Sequence, residues 1–187
     1  MTEILHFRSP ADFRKWLGKN HRQPEGIWLR ICKKGSEERS LTYAEALDEA
    51  LCFGWIDGQK QRHNESSWLQ KFTPRRRRSS WSKINTQHVE RLIQTKRMKP
   101  AGQAQIDAAK NDGRWAVAYD SPSKSKIPED FLARLHKNKK AYAFFESLSK
   151  VNRYAIAYRL QTAKKPEIRQ KRMDTILAMM ARGETFH

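Results

Sequence analysis

"GWIDGQKQRHNESSWLQKFTPR", residues 54–75, is the stretch whose reading decides the fold. From Trp55 to His63 and again from Ser66 to Arg75 the side chains alternate with a period of two, and the two runs join near "NES", so the spacing predicts an antiparallel hairpin. If the connecting loop holds an even number of residues, odd positions of the first strand pair with even positions of the second. Trp55, Asp57, Gln59 and Gln61 would then share a face with Trp68, Gln70, Phe72 and Pro74.

Upstream of the hairpin, Ile4 to Phe7 reads as a short strand. Ser9 as N-cap and Pro10 at the first helical position open a helix after it. "GIWLRICKK", Gly26 to Lys34, alternates Ile27, Leu29 and Ile31 against Trp28, Arg30 and Cys32 and predicts another strand. Thr42 caps a helix that carries Leu47, Ala50 and Leu51 inward and ends at Gly54 in the left-handed conformation. Downstream, helices are expected from Ser82 to Lys96 and from Pro100 to Asp112. The Ser/Pro/Lys stretch from Tyr119 to Pro128 reads as a linker, and four helical segments follow, the last opened by Pro166 and closed by Gly183. The expected fold is α+β: an N-terminal domain (1–118) with a small, largely antiparallel sheet and flanking helices, a linker (119–128) and a C-terminal helical subdomain (129–187).

The 187 residues, 38% hydrophobic and 10% aromatic, exclude a disordered polycation despite a net charge of +18. No apolar run has the length of a membrane span and the opening residues lack the pattern of a signal peptide, so a cytoplasmic protein is expected. Cys32 and Cys52 form no CxxC pair, and the histidines show no metal-ligand spacing. The charge is uneven: residues 1–59 balance, whereas residues 60–99 carry 12 Lys+Arg against 2 Asp+Glu. Such a pole attracts phosphate-rich partners.

Within that pole, "KFTPRRRRSSWSKIN" (residues 71–85) admits two readings. Four arginines in a row can be a solvated charge run. They can also be an anion site, because "SSWS" caps the next helix through Ser80 or Ser82 and a helix N-terminus presents N–H groups to an anion. On an extended segment Arg75 with Arg77, or Arg76 with Arg78, would form a fork for a phosphate or carboxylate. Asp57 is then either the internal partner of Arg75 or Arg76 or a pocket acid, and Trp55 and Trp81 are candidate walls. The candidate ligand-binding set is Trp55, Asp57, Phe72, Arg75, Arg76, Ser80, Trp81, Ser82 and Asn85; Trp16 and Trp28 are expected in the core. A nucleophile built from Cys52, His63 and Asp57 is a weak alternative, since Cys52 falls in the last turn of a helix, where the dipole raises a thiol pKa. No catalytic residue, cofactor or metal is assigned.

The motifs "GWIDGQ", "KFTPRRRRSSWSKIN" and "AKKPEIRQKRM", in that order, resemble the YdeI/OmpD-associated family, also described as bacteriocin-protection proteins. The resemblance extends along the chain, with one departure: the family pattern asks firmly for only the first two arginines of the run Arg75–Arg78. It implies an association with resistance to envelope stress or antimicrobial peptides, and it supplies no catalytic residues. Because many such peptides are cationic, a +18 protein would repel them. The expectation is therefore non-catalytic binding of an anionic small molecule or phosphate-bearing ligand at the basic Arg/Ser/Trp site. A rival reading is nucleic-acid binding by the 60–99 surface, helped by Lys164, Lys165, Arg169, Lys171 and Arg172, although no RRM, KH or zinc-finger signature is present. A second rival is a small-molecule enzyme with an Asp57/Arg75/Arg76 pocket.

Overall fold

A computed structural model describes residues 3–187. The elements run β1 (Ile4–Leu5), α1 (Pro10–Asn20), β2 (Ile27–Cys32), α2 (Tyr43–Cys52), β3 (Trp55–Arg62), β4 (Ser67–Pro74), α3 (Lys83–Gln94), α4 (Pro100–Asn111), α5 (Glu129–Leu135), α6 (Lys139–Glu146), α7 (Lys150–Gln161) and α8 (Pro166–Arg182). The fold is α+β. Its sheet has the order β1-β2-β4-β3 and is mixed: β1 pairs β2 in parallel, whereas β2–β4 and β3–β4 are antiparallel.

Packing divides the chain into two compact units, one of residues up to Ser79 with Gln87–Ala109 and one of Ser80–Thr86 with Lys110–His187. The second unit takes in the stretch read as a linker, in which Tyr119 forms a β-bridge with Ser82.

In the first unit, local chemistry starts and stops the helices as the sequence asks. Ser9 Oγ accepts the Asp12 N–H at 3.2 Å with Pro10 in the first turn, and Thr42 and Glu45 form a reciprocal capping box. Gly54, at φ 76°, turns the chain from α2 into β3. One face of the sheet buries Ile27, Leu29 and Ile31 of β2 and Phe72 of β4, together with Phe13 and Leu17 of α1 and Leu47, Ala50 and Leu51 of α2. Aromatic edges tie this core together: Phe13 to Phe72 at 6.0 Å and Trp16 to Trp55 at 5.8 Å.

The hairpin forms, and the register expected for its open end is present: Trp55 stands opposite Pro74 and Asp57 opposite Phe72. Nearer the turn it differs. A β-bulge between Asp57 and Lys60 inserts one residue into β3, so Lys60 faces Gln70 and Arg62 faces Trp68, while Gln61 moves opposite Leu69. Gln61 therefore does not share the face of Trp68 and Gln70. The carbonyls displaced by the bulge need donors, and the buried Gln70 supplies them: its Nε2 donates to Gly58 O at 2.8 Å and Gln59 O at 3.2 Å.

Tryptophan placement also departs from expectation. Trp55 and Trp81 are fully buried, while Trp16 and Trp28 are half-buried, with Lys71 Nζ 5.5 Å from the Trp28 ring on the far face of the sheet.

The second unit contains all four expected helical segments after Pro128, with Asn138 and Ser149 accepting N-cap bonds and Gly183 ending α8 at φ 73°. Phe131, Leu135, Phe145, Ile156, Leu160, Met173, Ile176 and Met180 form its core. No helix among the described residues is long and apolar enough to cross a membrane.

Two helical glycines of the first unit predict opposite responses to alanine. A Cβ at Gly102 would lie 2.3 Å from Cys52 O, whereas one at Gly18 would meet nothing within 4 Å. Gly102→Ala is expected to lower stability by about 1–3 kcal/mol through overpacking. Gly18→Ala should raise it by about 0.5–1 kcal/mol, since a helix interior disfavours glycine. Urea unfolding of the two variants checks both signs.

Candidate functional site

The arginine run does not continue as a strand. After Pro74, Arg75 is buried at 6% exposure and its N–H donates to Gly54 O at 2.9 Å. The chain then reverses: Ser79 N–H donates to Arg76 O at 2.9 Å and Arg76 N–H donates to Ser79 Oγ at 3.0 Å, which closes a four-residue turn. The expected forks of Arg75 with Arg77 or Arg76 with Arg78 require an extended backbone, and the turn removes it. What the turn presents instead is Arg76, Arg77 and Arg78 exposed in succession, none in an ion pair among the described residues.

Four other arginines of the same unit are committed. Arg30 holds Glu38 with two hydrogen bonds of 2.7 and 2.6 Å. On α2, Asp48 and Glu49 are buried carboxylates, and the chain closes partners around them: Arg14 and Arg97 on Glu49, each at 2.7 Å, with Arg91 at 2.6 Å and His88 at 2.9 Å on Asp48. Burial works against the charged Asp48, but hydrogen bonds from Arg91 and His88 overcome it and hold the carboxyl below its ordinary range. Periodicity could not reveal this cluster, because the partners of Asp48 lie 40 and 43 residues away.

Asp57 accepts a hydrogen bond from Tyr43 Oη at 2.8 Å, a donor that the sequence reading did not weigh. Burial, and next the Asp57 charge, raise the Tyr43 pKa, so the phenol stays a donor. Trp55 donates its indole N–H to His21 O at 2.7 Å and, like Phe72, is fully buried, so both are core residues with no face open to a ligand. His63 bonds Ser67 Oγ at the hairpin tip and Cys52 is buried at the end of α2, so the imagined nucleophile triad is not assembled.

In the second unit, Ser82 is the cap of α3: its Oγ accepts the Asn85 N–H at 3.2 Å. The Lys83 N–H is spent on Tyr119 O at 2.9 Å, so this helix start is largely satisfied from within. Ser80 Oγ accepts from Tyr158 Oη at 3.3 Å. Trp81 is buried against Trp115, ring centroids 5.0 Å apart, and Asn85 is buried at 7% exposure.

Two outcomes follow. Burial pushes the Cys52 thiol up, so alkylation of the native protein should modify the half-buried Cys32 first and Cys52 only on unfolding, as peptide mapping would read. Asp48, held low in the folded state, contributes stability that is present above the unfolded carboxylate pKa of about 4 and lost as pH falls through the folded value. Asp48→Asn should cost about 3–5 kcal/mol at neutral pH, because it strands the cations. It should also flatten the acid loss that sets in below about pH 4 in urea titrations.

Comparison with known families divides the chain in two. Residues 5–105 match the family described as "Domain of unknown function (DUF8412)", and residues 124–183 match the family described as "Bacteriocin-protection, YdeI or OmpD-Associated". The motifs "GWIDGQ" and "KFTPRRRRSSWSKIN" fall in the first match and "AKKPEIRQKRM" in the second. Neither the curated proteins nor the solved structures gave a significant match. Since the first match spans more than half of the chain, the protein belongs to the DUF8412 family, and over residues 124–183, which hold the last of the three motifs, it is similar to the bacteriocin-protection, YdeI or OmpD-associated family.

Proposed function

We propose that this protein is a non-catalytic binder of an anionic ligand or partner, which it takes at the basic turn Arg76–Ser79. The observation that carries the reading is the contrast among arginines of one unit: Arg14, Arg30, Arg91 and Arg97 each hold a carboxylate, while Arg76, Arg77 and Arg78 stand exposed without one among the described residues. Planar guanidiniums on a turn fixed by one backbone bond and one bond to a serine hydroxyl suit the oxygens of phosphate or carboxylate. Charge also bears on the protective role that the second family's description names. A net +18 repels a cationic peptide, so protection would act through an anionic partner and not through capture of the peptide.

Phosphate at ten times its Kd should stabilise the wild type by about 1.4 kcal/mol, a rise of roughly 3–6 °C in Tm for a chain of this size. Arg76→Ala/Arg77→Ala/Arg78→Ala should abolish that rise. Lys137→Ala/Lys139→Ala/Lys140→Ala removes the same charge from another exposed run and should keep it. Replacing the three arginines by lysine should lose most of the effect, because the ammonium cannot bond two oxygens in a plane. Equal losses in all three variants would make the arginines a solvated face and end this reading.

A further inference from the structure

We propose a second site in the first unit, distinct from the arginine turn: a groove beside α1 that takes a small aromatic carboxylate. Ala11, Arg14, Lys15 and Gly18 lie at i, i+3, i+4 and i+7 and so form one face of α1. With Phe53 and Lys99 they line a cavity of about 500 Å³, within the roughly 300–1,000 Å³ usual for small-molecule sites. Neither of its long walls is accidental. Gly54 at φ 76° and the contact of Gly102 on Cys52 O bring the start of α4 against the end of α2, and the Lys99 N–H donates to Cys52 O at 3.1 Å, which places Lys99 at the rim.

The lining chemistry selects the ligand. Phe53 gives a buried aromatic floor, and the Arg14 guanidinium carbon lies 5.7 Å from its ring centroid, held there by Glu49 at 2.7 Å and Arg97 O at 2.8 Å. Two planar surfaces are thus fixed before any ligand arrives, which favours a flat apolar body over a flexible chain. Lys15 and Lys99 are exposed and stand in no ion pair among the described residues, so they supply the charge for a carboxylate at the rim. Gly18 fits the same picture. It sits in a helix interior where glycine is costly, nothing in the fold crowds its Cα, and the space a side chain would occupy is the groove.

The probe is 2-naphthoate, with 2-naphthol as its neutral counterpart. Wild-type protein should show saturable binding of naphthoate by calorimetry and a dose-dependent rise in Tm, with naphthol at least tenfold weaker. Gly18→Leu fills the groove without a clash, so its unliganded Tm should equal or exceed that of the wild type while naphthoate binding falls at least tenfold. Lys15→Glu/Lys99→Glu should lose naphthoate at least tenfold and leave naphthol unchanged. The Arg76→Ala/Arg77→Ala/Arg78→Ala variant should bind naphthoate as the wild type does, which keeps this site separate from the turn. Wild-type affinity in Gly18→Leu, equal affinity for naphthol and naphthoate, or loss in the arginine variant would each overturn the assignment.

Discussion

Two buried carboxylates on α2 set the terms for the rest of the first unit. Burying Asp48 and Glu49 is unfavourable by several kcal/mol apiece unless partners follow them inside, and the partners come from three places: Arg14 on α1, His88 and Arg91 on α3, and Arg97 in the segment that leads to α4. Each clamp fixes the position of the element that supplies it. Arg14, turned inward to Glu49, also lays its guanidinium near Phe53. Arg97 brings the chain to the point where Gly102 can close on the carbonyl of Cys52. A charge network and a backbone contact therefore fix the same junction independently, and the groove beside α1 is the space that they leave.

The sheet solves a smaller problem in the same way. A bulge interrupts the β3–β4 register, and the side chain of the buried Gln70 bonds two carbonyls of β3 within it. On the solvent side of the bulge Lys60 can lie over Trp68, its Nζ 4.2 Å from the ring. In both places a polar side chain deep in the fold answers a need created by backbone or charge. Loss of either would leave buried polar groups without partners rather than merely remove a contact.

Most of the architecture was legible in short-range sequence. Alternation at Ile27–Cys32 and Trp55–Pro74, caps at Ser9, Thr42 and Ser82, and glycines at 54 and 183 are local signals, and the elements stand where those signals put them. The candidate site was less legible, because its geometry depends on features of another kind. The turn at Arg76–Ser79 draws one of its two closing bonds from a serine hydroxyl, which competes with strand continuation. Nothing in the alternation around Gly58 announces an inserted residue. Tyr43 meets Asp57 only because α2 lies on the sheet, and the clamps on Asp48 and Glu49 join residues dozens of positions apart. Local periodicity assigns faces; it does not say which charges meet.

That distinction bears on what a net charge of +18 can do. At physiological ionic strength a surface charge acts over about 8 Å, so the total draws anions toward the molecule and turns cations away without choosing among them. Choice requires donors that are fixed in place and not already spent. Inside the first unit four arginines, Arg14, Arg30, Arg91 and Arg97, are spent on Asp48, Glu49 and Glu38. Among the cations left over, three guanidiniums crowd one turn, and two ammonium groups flank one aromatic floor. On the reading proposed here, the long-range field brings an anion to the surface, and these two arrangements of unspent donors decide which anion stays.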